Sequence, residues 1–367
     1  MKPYIPQDLP LKCLDFRRLI GRVGKANAAL ARYDGLLQGI VNPDILLSPL
    51  TNEEAVLSSR LEGTQATVDE VYEHEAGIEK NEEKTKDIQE IVNYRLALRM
   101  GQEQLRAYPI SLPFVREIHK VLMNSVRGQT KSPGEFRPDQ NWIGLPGSSI
   151  EQASFIPPSP ICLQEYLDAW ITYLSTDDID PLIQTAIMHA QFELIHPFKD
   201  GNGRIGRLLI PLFLFQKKCL NQPMFYLSSY LEANRDEYCS TLGGISQRGD
   251  WNSWIDFFLE AVIKQADSNI RKVKNIISLY DEMKDEIQRV THSQFSLSVL
   301  DGIFKRPIFK ASDFVGITKI QRSTALGLLG QLKDHGILQE IRPSRGRTPA
   351  ILAFSRLLNI AEGREVV

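Results

Sequence analysis

Residues 181–216 constrain this chain more tightly than any other stretch. Two segments of helical pattern, Pro181 to Ile195 and Arg204 to Gln216, flank a loop that carries His196, Pro197, Phe198, Lys199, Asp200, Gly201, Asn202 and Gly203. The second segment holds the longest apolar run of the sequence, Leu208 to Phe215. A helix that is apolar on every side belongs at the buried centre of a domain, and Pro211 within it predicts a kink. The run is far too short to span a bilayer.

Helical periodicity recurs along most of the remaining chain, and strand-like alternation is rare. Phe16 to Leu37 reads as an amphipathic helix with Leu19, Val23, Ala26, Leu30 and Tyr33 on one side. Pro43 and Pro49 mark a break. A helix from Thr51, its N-cap, to Glu62 stops at Gly63. Thr67-Val68-Asp69-Glu70 opens another with a capping pattern. Lys80 to Lys86 reads as a charged joint, and Ile88 to Tyr108, Leu112 to Val126, Cys162 to Leu174, Asn234 to Leu242 and Trp251 to Val290 as further helices. Asn141 to Pro158 reads as a small hairpin. After residue 290 the pattern is Ser296 to Phe304 helical, Lys310 to Phe314 a short helix, Val315 to Thr318 a turn and Lys319 to His335 a third helix. Strand-like Gly336-Ile337-Leu338 and Ala350 to Phe354 then flank an arginine-rich loop, Arg342 to Arg347. That order predicts a winged helix-turn-helix.

With 367 residues the chain is too long for one ordinary core. Hydrophobic content of 43%, charged content of 24% and a net charge of -2 are those of a globular protein, and they exclude a nucleic-acid coat or a membrane-surface protein as a whole. Four cysteines, Cys13, Cys162, Cys219 and Cys239, lie far apart with no C-x-x-C, which argues against a zinc site or disulfide framework and for the reducing cytoplasm. Met1 to Leu11 lacks the apolar core of a signal peptide.

The loop itself carries chemistry. Asp200-Gly201-Asn202-Gly203 directly precedes a helix, so its backbone N–H groups and the orphan amides of the first turn can converge on an anion. Gly201 and Gly203 permit close approach and positive φ. Arg204 and Arg207 share a helix face and sit where a cation opposes the helix dipole, an arrangement an intervening anion would relieve. Asp200 can hold a magnesium ion whose other ligands are phosphate oxygens. His196, with an ordinary pKa near 6.5, suits removal of a proton from a hydroxyl. Together these parts point to a nucleotide-dependent transferase. Three other readings compete. Gly201-x-Gly203-x-x-Gly206 formally matches a dinucleotide fingerprint, but no strand precedes it. Asp200-Gly-Asn202 could open a calcium loop, but Ile205 and Pro211 stand where glycine and glutamate are needed. A plain helix–turn–helix connection leaves the two arginines unexplained. Phe198 reads as a plug anchoring the loop.

The segment from His196 to Arg207 resembles, at every defined position, the motif H-x-F-x-[D/E]-G-N-G-R-x-x-R of the Fic (Fic/Doc, or Fido) family. Ala55 to Thr67, Gly134-Glu135-Phe136-Arg137, Asn141-Trp142-Ile143-Gly144 and Phe155-Ile156-Pro157-Pro158 are also similar to family landmarks, so the resemblance covers roughly residues 10–265. It implies transfer of AMP from ATP to a Ser, Thr or Tyr hydroxyl of a target protein, or of the chain itself. In that scheme His196 is the general base and Asp200 holds Mg²⁺. Gly201, Asn202 and Gly203 form the anion hole, and Arg204 and Arg207 bind the outer phosphates.

Glu62 ends a helix, where a negative charge opposes the dipole just as the arginines do at the loop. Ser58-x-x-x-Glu62-Gly63 resembles the family's inhibitory motif [S/T]-x-x-x-E-[G/N]. The resemblance implies that Glu62 pairs with Arg207 and blocks the productive γ-phosphate pose. The hairpin resembles the target-positioning flap, with Trp142, Ile143, Gly144, Phe155 and Ile156 along its edges and strand addition as its mode. Tyr238 is a candidate to stack on adenine, with core packing the alternative.

From Asp301 to Arg356 ten Lys or Arg stand against four Asp or Glu. Lys319, Arg322, Arg345 and Arg347 are candidate DNA contacts. The expectation is a mostly α chain: a helical N-terminal region over 1–108 with an inhibitory helix at about 52–62, a Fic-type bundle with a small β-hairpin flap over 109–290, and a winged helix over 291–367. The expected activity is that of a protein adenylyltransferase using ATP and Mg²⁺ and restrained by Glu62. Its expected partner is a protein bearing an acceptor hydroxyl, with DNA and a second copy of the chain as further candidate partners and no membrane. Two alternatives stand beside it: a DNA-binding regulator whose core senses nucleotide, and a Fido enzyme that removes AMP or transfers another phosphate-linked group.

Overall fold

The computed structural model describes every residue except Met1, Val41, 125–129, Leu145, Pro146, Ser148, 346–348, Arg364, Val366 and Val367. The elements in order are α1 (Phe16–Gln38), α2 (Pro43–Leu46), α3 (Ser48–Leu61), α4 (Val68–Glu75), α5 (Glu82–Gln104), α6 (Leu112–Leu122), α7 (Leu163–Ser175), α8 (Pro181–Ile195), α9 (Asn202–Gln216), α10 (Ser228–Ala233), α11 (Arg235–Arg248) and α12 (Trp251–Thr291). They continue as α13 (Ser296–Lys305), β1 (Ile308–Lys310), α14 (Phe314–Thr318), α15 (Arg322–Asp334), β2 (Gln339–Arg342), β3 (Ile351–Ala353) and α16 (Ser355–Glu362). The chain is mostly α, as its periodicity implies. No helix among the described residues is long and apolar enough to cross a membrane.

Two compact units divide the chain. The first comprises residues 1–35, 57–64 and 92–267, and its centre is the packed pair α8 and α9, with α7 and α11 against α8 and α6 against α9. Asp180 starts α8 by accepting the Leu182 and Ile183 amides at 2.8 and 3.3 Å, with Pro181 pre-set in the first turn. Nearly every α8 side chain is buried, and the indole N–H groups of Trp170 and Trp254 donate to its carbonyls at Met188 and Ala186. The apolar α9 is buried along almost its whole length and continues through Pro211 to Gln216. The sequence reading of a central buried helix therefore holds.

The second unit comprises residues 36–56, 65–91 and 268–367. Its sheet has the order β1-β3-β2, all antiparallel, with Phe309 opposite Leu352 and Glu340 opposite Leu352 on the other side of β3. The central β3 is fully buried, and Phe304, Phe309, Phe314 and Phe354 fill the core beside it. The series α13, β1, α14, α15, β2, β3 is consistent with a winged helix.

Several boundaries depart from the sequence reading. The expected short helix Lys310–Phe314 is replaced by β1 and then α14, because Ile308 and Phe309 gain a ladder with β3 that local propensity does not reveal. The Val315–Thr318 turn is accordingly part of a helix. The strand expected at 336–338 begins instead at Gln339, since Gly336, at φ +73°, still belongs to the left-handed turn that ends α15. Thr51 lies inside α3 rather than capping it. Pro49, read as a break, occupies the first turn, where its missing N–H costs nothing. The charged joint at 80–86 is mostly the start of α5, capped by Asn81 Oδ1 on the Lys84 amide, with Lys80 and Lys84 paired to Glu73 and Glu70 of α4. Helix α16 has no counterpart in the expected pattern.

Candidate active site

The loop between α8 and α9 is built by backbone exceptions that its side chains hold in place. His196 ends α8 in the left-handed region at φ +50°, and Gly201 enters α9 at φ +77°. Asn202 staples the turn: its Oδ1 accepts the Phe198 amide at 2.8 Å and its Nδ2 donates to the Phe198 carbonyl at 2.9 Å. Asn141 Nδ2 reaches the same carbonyl at 3.2 Å. Phe198 is the buried plug the sequence suggested, stacked face to face on His119 with ring centroids 3.7 Å apart.

His119 went unnoticed in the sequence, although it shares the apolar face of α6 with Val115 and Leu122. Its Nδ1 accepts the Gly134 amide at 2.8 Å, so the proton is on Nε2, which donates to the Asp200 carbonyl at 3.0 Å. Burial depresses this imidazole to about 4 and Arg204 adds to the effect, against the hydrogen bond to Asp200. The ring is therefore a neutral strut beneath the loop.

The helix start presents the amides of Asn202, Gly203 and Arg204, which have no intrahelical acceptor. Gly203 lies directly under the Glu62 carboxylate and the Arg207 guanidinium, so a methyl there would displace the ends of those two side chains. Gly206 leaves room for the Glu193 carboxyl and His189, which a methyl there would push aside. Both arginines are buried. Arg204 Nη2 stands 3.9 Å from Asp200 Oδ1 and 3.5 Å from Met123 Sδ. Arg207 gives its Nε proton to Ser58 Oγ at 2.9 Å, and its Nη2 donates to the Ser58 carbonyl at 2.9 Å and to Glu62 Oε1 at 2.7 Å. Ser58, Glu62 and Arg207, distant in sequence, therefore meet as one cluster. Burial raises the Glu62 carboxyl, but the charge and hydrogen bond of Arg207, with Arg204 and His196, outweigh it and hold the group below the usual carboxylate range. The Glu62 side chain remains 39% exposed, so solvent screens the pair and its strength is that of a rim contact.

His196 Nδ1 lies 3.2 Å from the Glu193 carbonyl. A carbonyl only accepts, so Nδ1 carries the proton and Nε2 is left as the basic nitrogen. Burial lowers the imidazole to about 4, the Glu193 hydrogen bond and Glu62 pull it up, and Arg137 pushes it down. It is neutral at pH 7.

Asp200 keeps a half-exposed carboxylate whose Oδ1 accepts the Gly201 amide at 2.6 Å. Among the described residues no three His, Cys, Asp or Glu side chains converge to hold a metal. A lone carboxylate beside an anion-binding helix start fits a magnesium ion that is carried by phosphates rather than caged by protein.

The expected hairpin reduces, among the described residues, to one antiparallel bridge, Ile143 with Phe155, in which the Ile143 amide donates to the Phe155 carbonyl at 2.8 Å. Trp142, Ile143 and Gly144 are exposed, Phe155 is half-buried and Ile156 is buried. Tyr4 pairs with the second segment, its amide donating to the Ile156 carbonyl at 2.8 Å.

Tyr238 is placed in the core: it is buried among His189, Trp254 and Phe257, with its hydroxyl 2.9 Å from His189 Nε2. Packing, the alternative weighed for it, describes its position. Lys319, Arg322 and Arg345 lie on the surface of the second unit, Arg322 opening α15. Arg347 lies outside the described residues.

Residues 20–103 match the sequence model of the Fic/DOC family N-terminal region, and residues 109–214 match that of the Fic/DOC family. A probable protein adenylyltransferase of Aquifex aeolicus is 29% identical over 193 residues, which are 52% of this chain and 56% of that protein. Protein adenylyltransferase fic-1 of Caenorhabditis elegans is 33% identical over 110 residues, 29% of this chain and 20% of that protein. The chain thus spans about half the length of the first of these curated relatives and less of the second. Among solved structures, a Fic family protein from Desulfovibrio desulfuricans G20 superposes with a TM-score of 0.56 at 17% identity, covering 96% of this chain and 98% of the other. A Fic domain containing signaling protein from Bacteroides thetaiotaomicron VPI-5482 gives 0.54 at 19% identity, over 69% and 97%. These two likenesses concern the fold.

Proposed function

We propose, from the premise that this chain belongs to the Fic/DOC family, that it is a protein adenylyltransferase restrained by its own Glu62. A target hydroxyl oxygen attacks the α-phosphorus of ATP, the bond from that phosphorus to the bridging oxygen breaks, and pyrophosphate leaves. The hydroxyl proton passes to His196 Nε2, the nitrogen left basic by the Nδ1 contact to Glu193. The amides at the start of α9 and the guanidinium groups of Arg204 and Arg207 supply fixed positive potential to the phosphates. Asp200 would hold Mg²⁺, which when bound neutralises phosphate charge.

The observation that carries the inhibitory part is the occupancy of Arg207. Its Nε and Nη2 are engaged by Ser58 and Glu62, and the Glu62 carboxylate lies against Gly203, where a phosphate oxygen belongs. A charge-assisted hydrogen bond is worth about 1.5–3 kcal/mol, and the exposure of Glu62 favours the low end. Glu62→Gly is therefore expected to raise transfer of labelled AMP, self-modification included, by about tenfold. The check is incubation of purified wild type and variant with α-labelled ATP and Mg²⁺, followed by mass spectrometry of the modified hydroxyl. An unchanged rate refutes inhibition by Glu62, and absence of any AMP adduct in either protein refutes the transferase reading.

A further inference from the structure

Arg137 is 2% exposed, and among the described residues no carboxylate is paired with it. Among the described residues its hydrogen bonds go to backbone carbonyls. Its Nε donates to His196 O at 2.9 Å, its Nη1 to Asp139 O at 3.2 Å, and its Nη2 to Pro158 O at 2.6 Å and Ile195 O at 3.4 Å. Its own amide donates to Pro197 O at 2.9 Å. One guanidinium thereby ties two segments that are far apart in sequence. One is the left-handed turn that carries His196. The other is Pro158, at the foot of the flap segment that pairs Phe155 with Ile143. Gln140 Nε2 adds a second tie to that foot, donating to Pro157 O at 3.0 Å.

A buried cation without a counter-ion is expensive to keep, and here burial draws the guanidinium down to about 10. Packing alone would be served by a methionine of similar length. What only a planar fork provides is several donors at fixed angles, so the two segments cannot slide independently. In the proposed reaction the flap presents the target backbone and His196 receives the target's proton. The separation of these two elements decides whether the hydroxyl stands within reach of Nε2.

We infer that Arg137 is a positioning residue for hydroxyl transfer, fixing the foot of the flap to the turn of His196 so that the acceptor side chain and the general base are held in register. The inference rests on the transferase reading above. The guanidinium bonds of Arg137 go to the carbonyls of the His196 turn, of Asp139 and of Pro158, and none goes to the amides at the start of α9, so its loss is expected to leave nucleotide affinity in place while the transfer step suffers. A misplacement of about 1 Å is enough for roughly a hundredfold loss of rate.

The experiment uses the full chain carrying Glu62→Gly, alone and with Arg137→Met or Arg137→Lys added. Self-modification is followed with α-labelled ATP and Mg²⁺. Affinity for a non-reactive ATP analogue is measured by calorimetry, and folding by far-UV circular dichroism. The expected result for Arg137→Met is a fall in the transfer rate of about 30-fold or more, with analogue affinity within about threefold of the parent. If that variant does not fold, Arg137→Lys gives the answer: it keeps the charge but offers a single donor atom, so transfer is expected to fall about tenfold with full analogue binding. Transfer within about threefold of the parent in a folded variant overturns the inference alone. Rate and analogue affinity falling together also overturn it, as that pattern is a general loss of structure. A Glu62→Gly parent that modifies nothing overturns the transferase reading and this inference with it.

Discussion

Glu193 is the residue whose state is least like its sequence. It stands three positions before His196 on α8, with Oε1 buried against Gly206 and, among the described residues, no hydrogen-bond partner for that oxygen. Burial pushes its carboxyl up to about 8, Arg207 opposing and Glu62 assisting, so the group is protonated at neutral pH. Its folded-state pKa lies above its unfolded one, so its contribution to stability is complete below about pH 4.5 and is lost as pH rises through about 8. Glu193→Gln imitates the protonated form at every pH. Urea midpoints should therefore coincide for variant and wild type near pH 4.5, and the variant should be more stable by about 1–3 kcal/mol at pH 7.5. Equal midpoints at both pH values would show that the carboxyl is ionised in the fold. At this scale the sequence was legible where chemistry is repeated at fixed spacing: His196, Asp200, the glycines and both arginines come together as read, and Ser58 and Glu62 meet Arg207. It was silent about His119 and Glu193, and it marked Arg137 only as part of a family landmark without a role, because a buried histidine, arginine or glutamate is defined by what the fold packs around it, and a single sequence does not record that.

Elements were legible in proportion to how local their causes are. Helix α8 matched its expected bounds because Asp180 and Pro181 mark its start and the His196 turn its end. Asp180 Oδ1 accepts two orphan amides, and Asn27 Nδ2 holds the other oxygen at 2.8 Å. Asp180→Ala should cost about 1–2 kcal/mol, read as a lower denaturant midpoint at an unchanged slope. A loss near zero would mean that Pro181 alone sets the helix start. Strand β1 was misread for the opposite reason. Three residues cannot announce a strand, and their stability comes from the register Ile308 with Ala353 to Lys310 with Ile351, more than forty positions away. The flap lies between these cases. Pairing among the described residues amounts to the Ile143–Phe155 bridge, and the segment is held as well by the Tyr4 amide on the Ile156 carbonyl and by the carbonyl ties of Arg137 and Gln140.

For the molecule as a whole, sequence reading suggests cutting at residue 290 to release a C-terminal module. The second unit argues against it, because that unit is assembled from residues 36–56, 65–91 and 268–367. Within it α13 packs on α2, α4 packs on β1, Lys272 pairs with Glu53, and Ser48 Oγ reaches the Lys305 carbonyl. Removing residues 291–367 takes α13 and β1 away from α2 and α4, exposing apolar side chains such as Leu46, Leu47, Val71 and Tyr72, all buried in the intact chain. Each such side chain left in water forgoes about 1.5–3 kcal/mol of burial, and whole domains have only about 5–15 kcal/mol to lose. A chain ending at residue 290 should therefore melt well below the intact protein, or aggregate, and limited proteolysis should cut it first within 36–91. A separate fragment of 291–367 should fail to show a cooperative transition for the same reason, lacking α2 and α4. If instead both fragments melt cooperatively and the longer one keeps the midpoint of the full chain, the segments 36–56 and 65–91 contribute nothing to the C-terminal fold, and the boundary at 290 is a true domain junction.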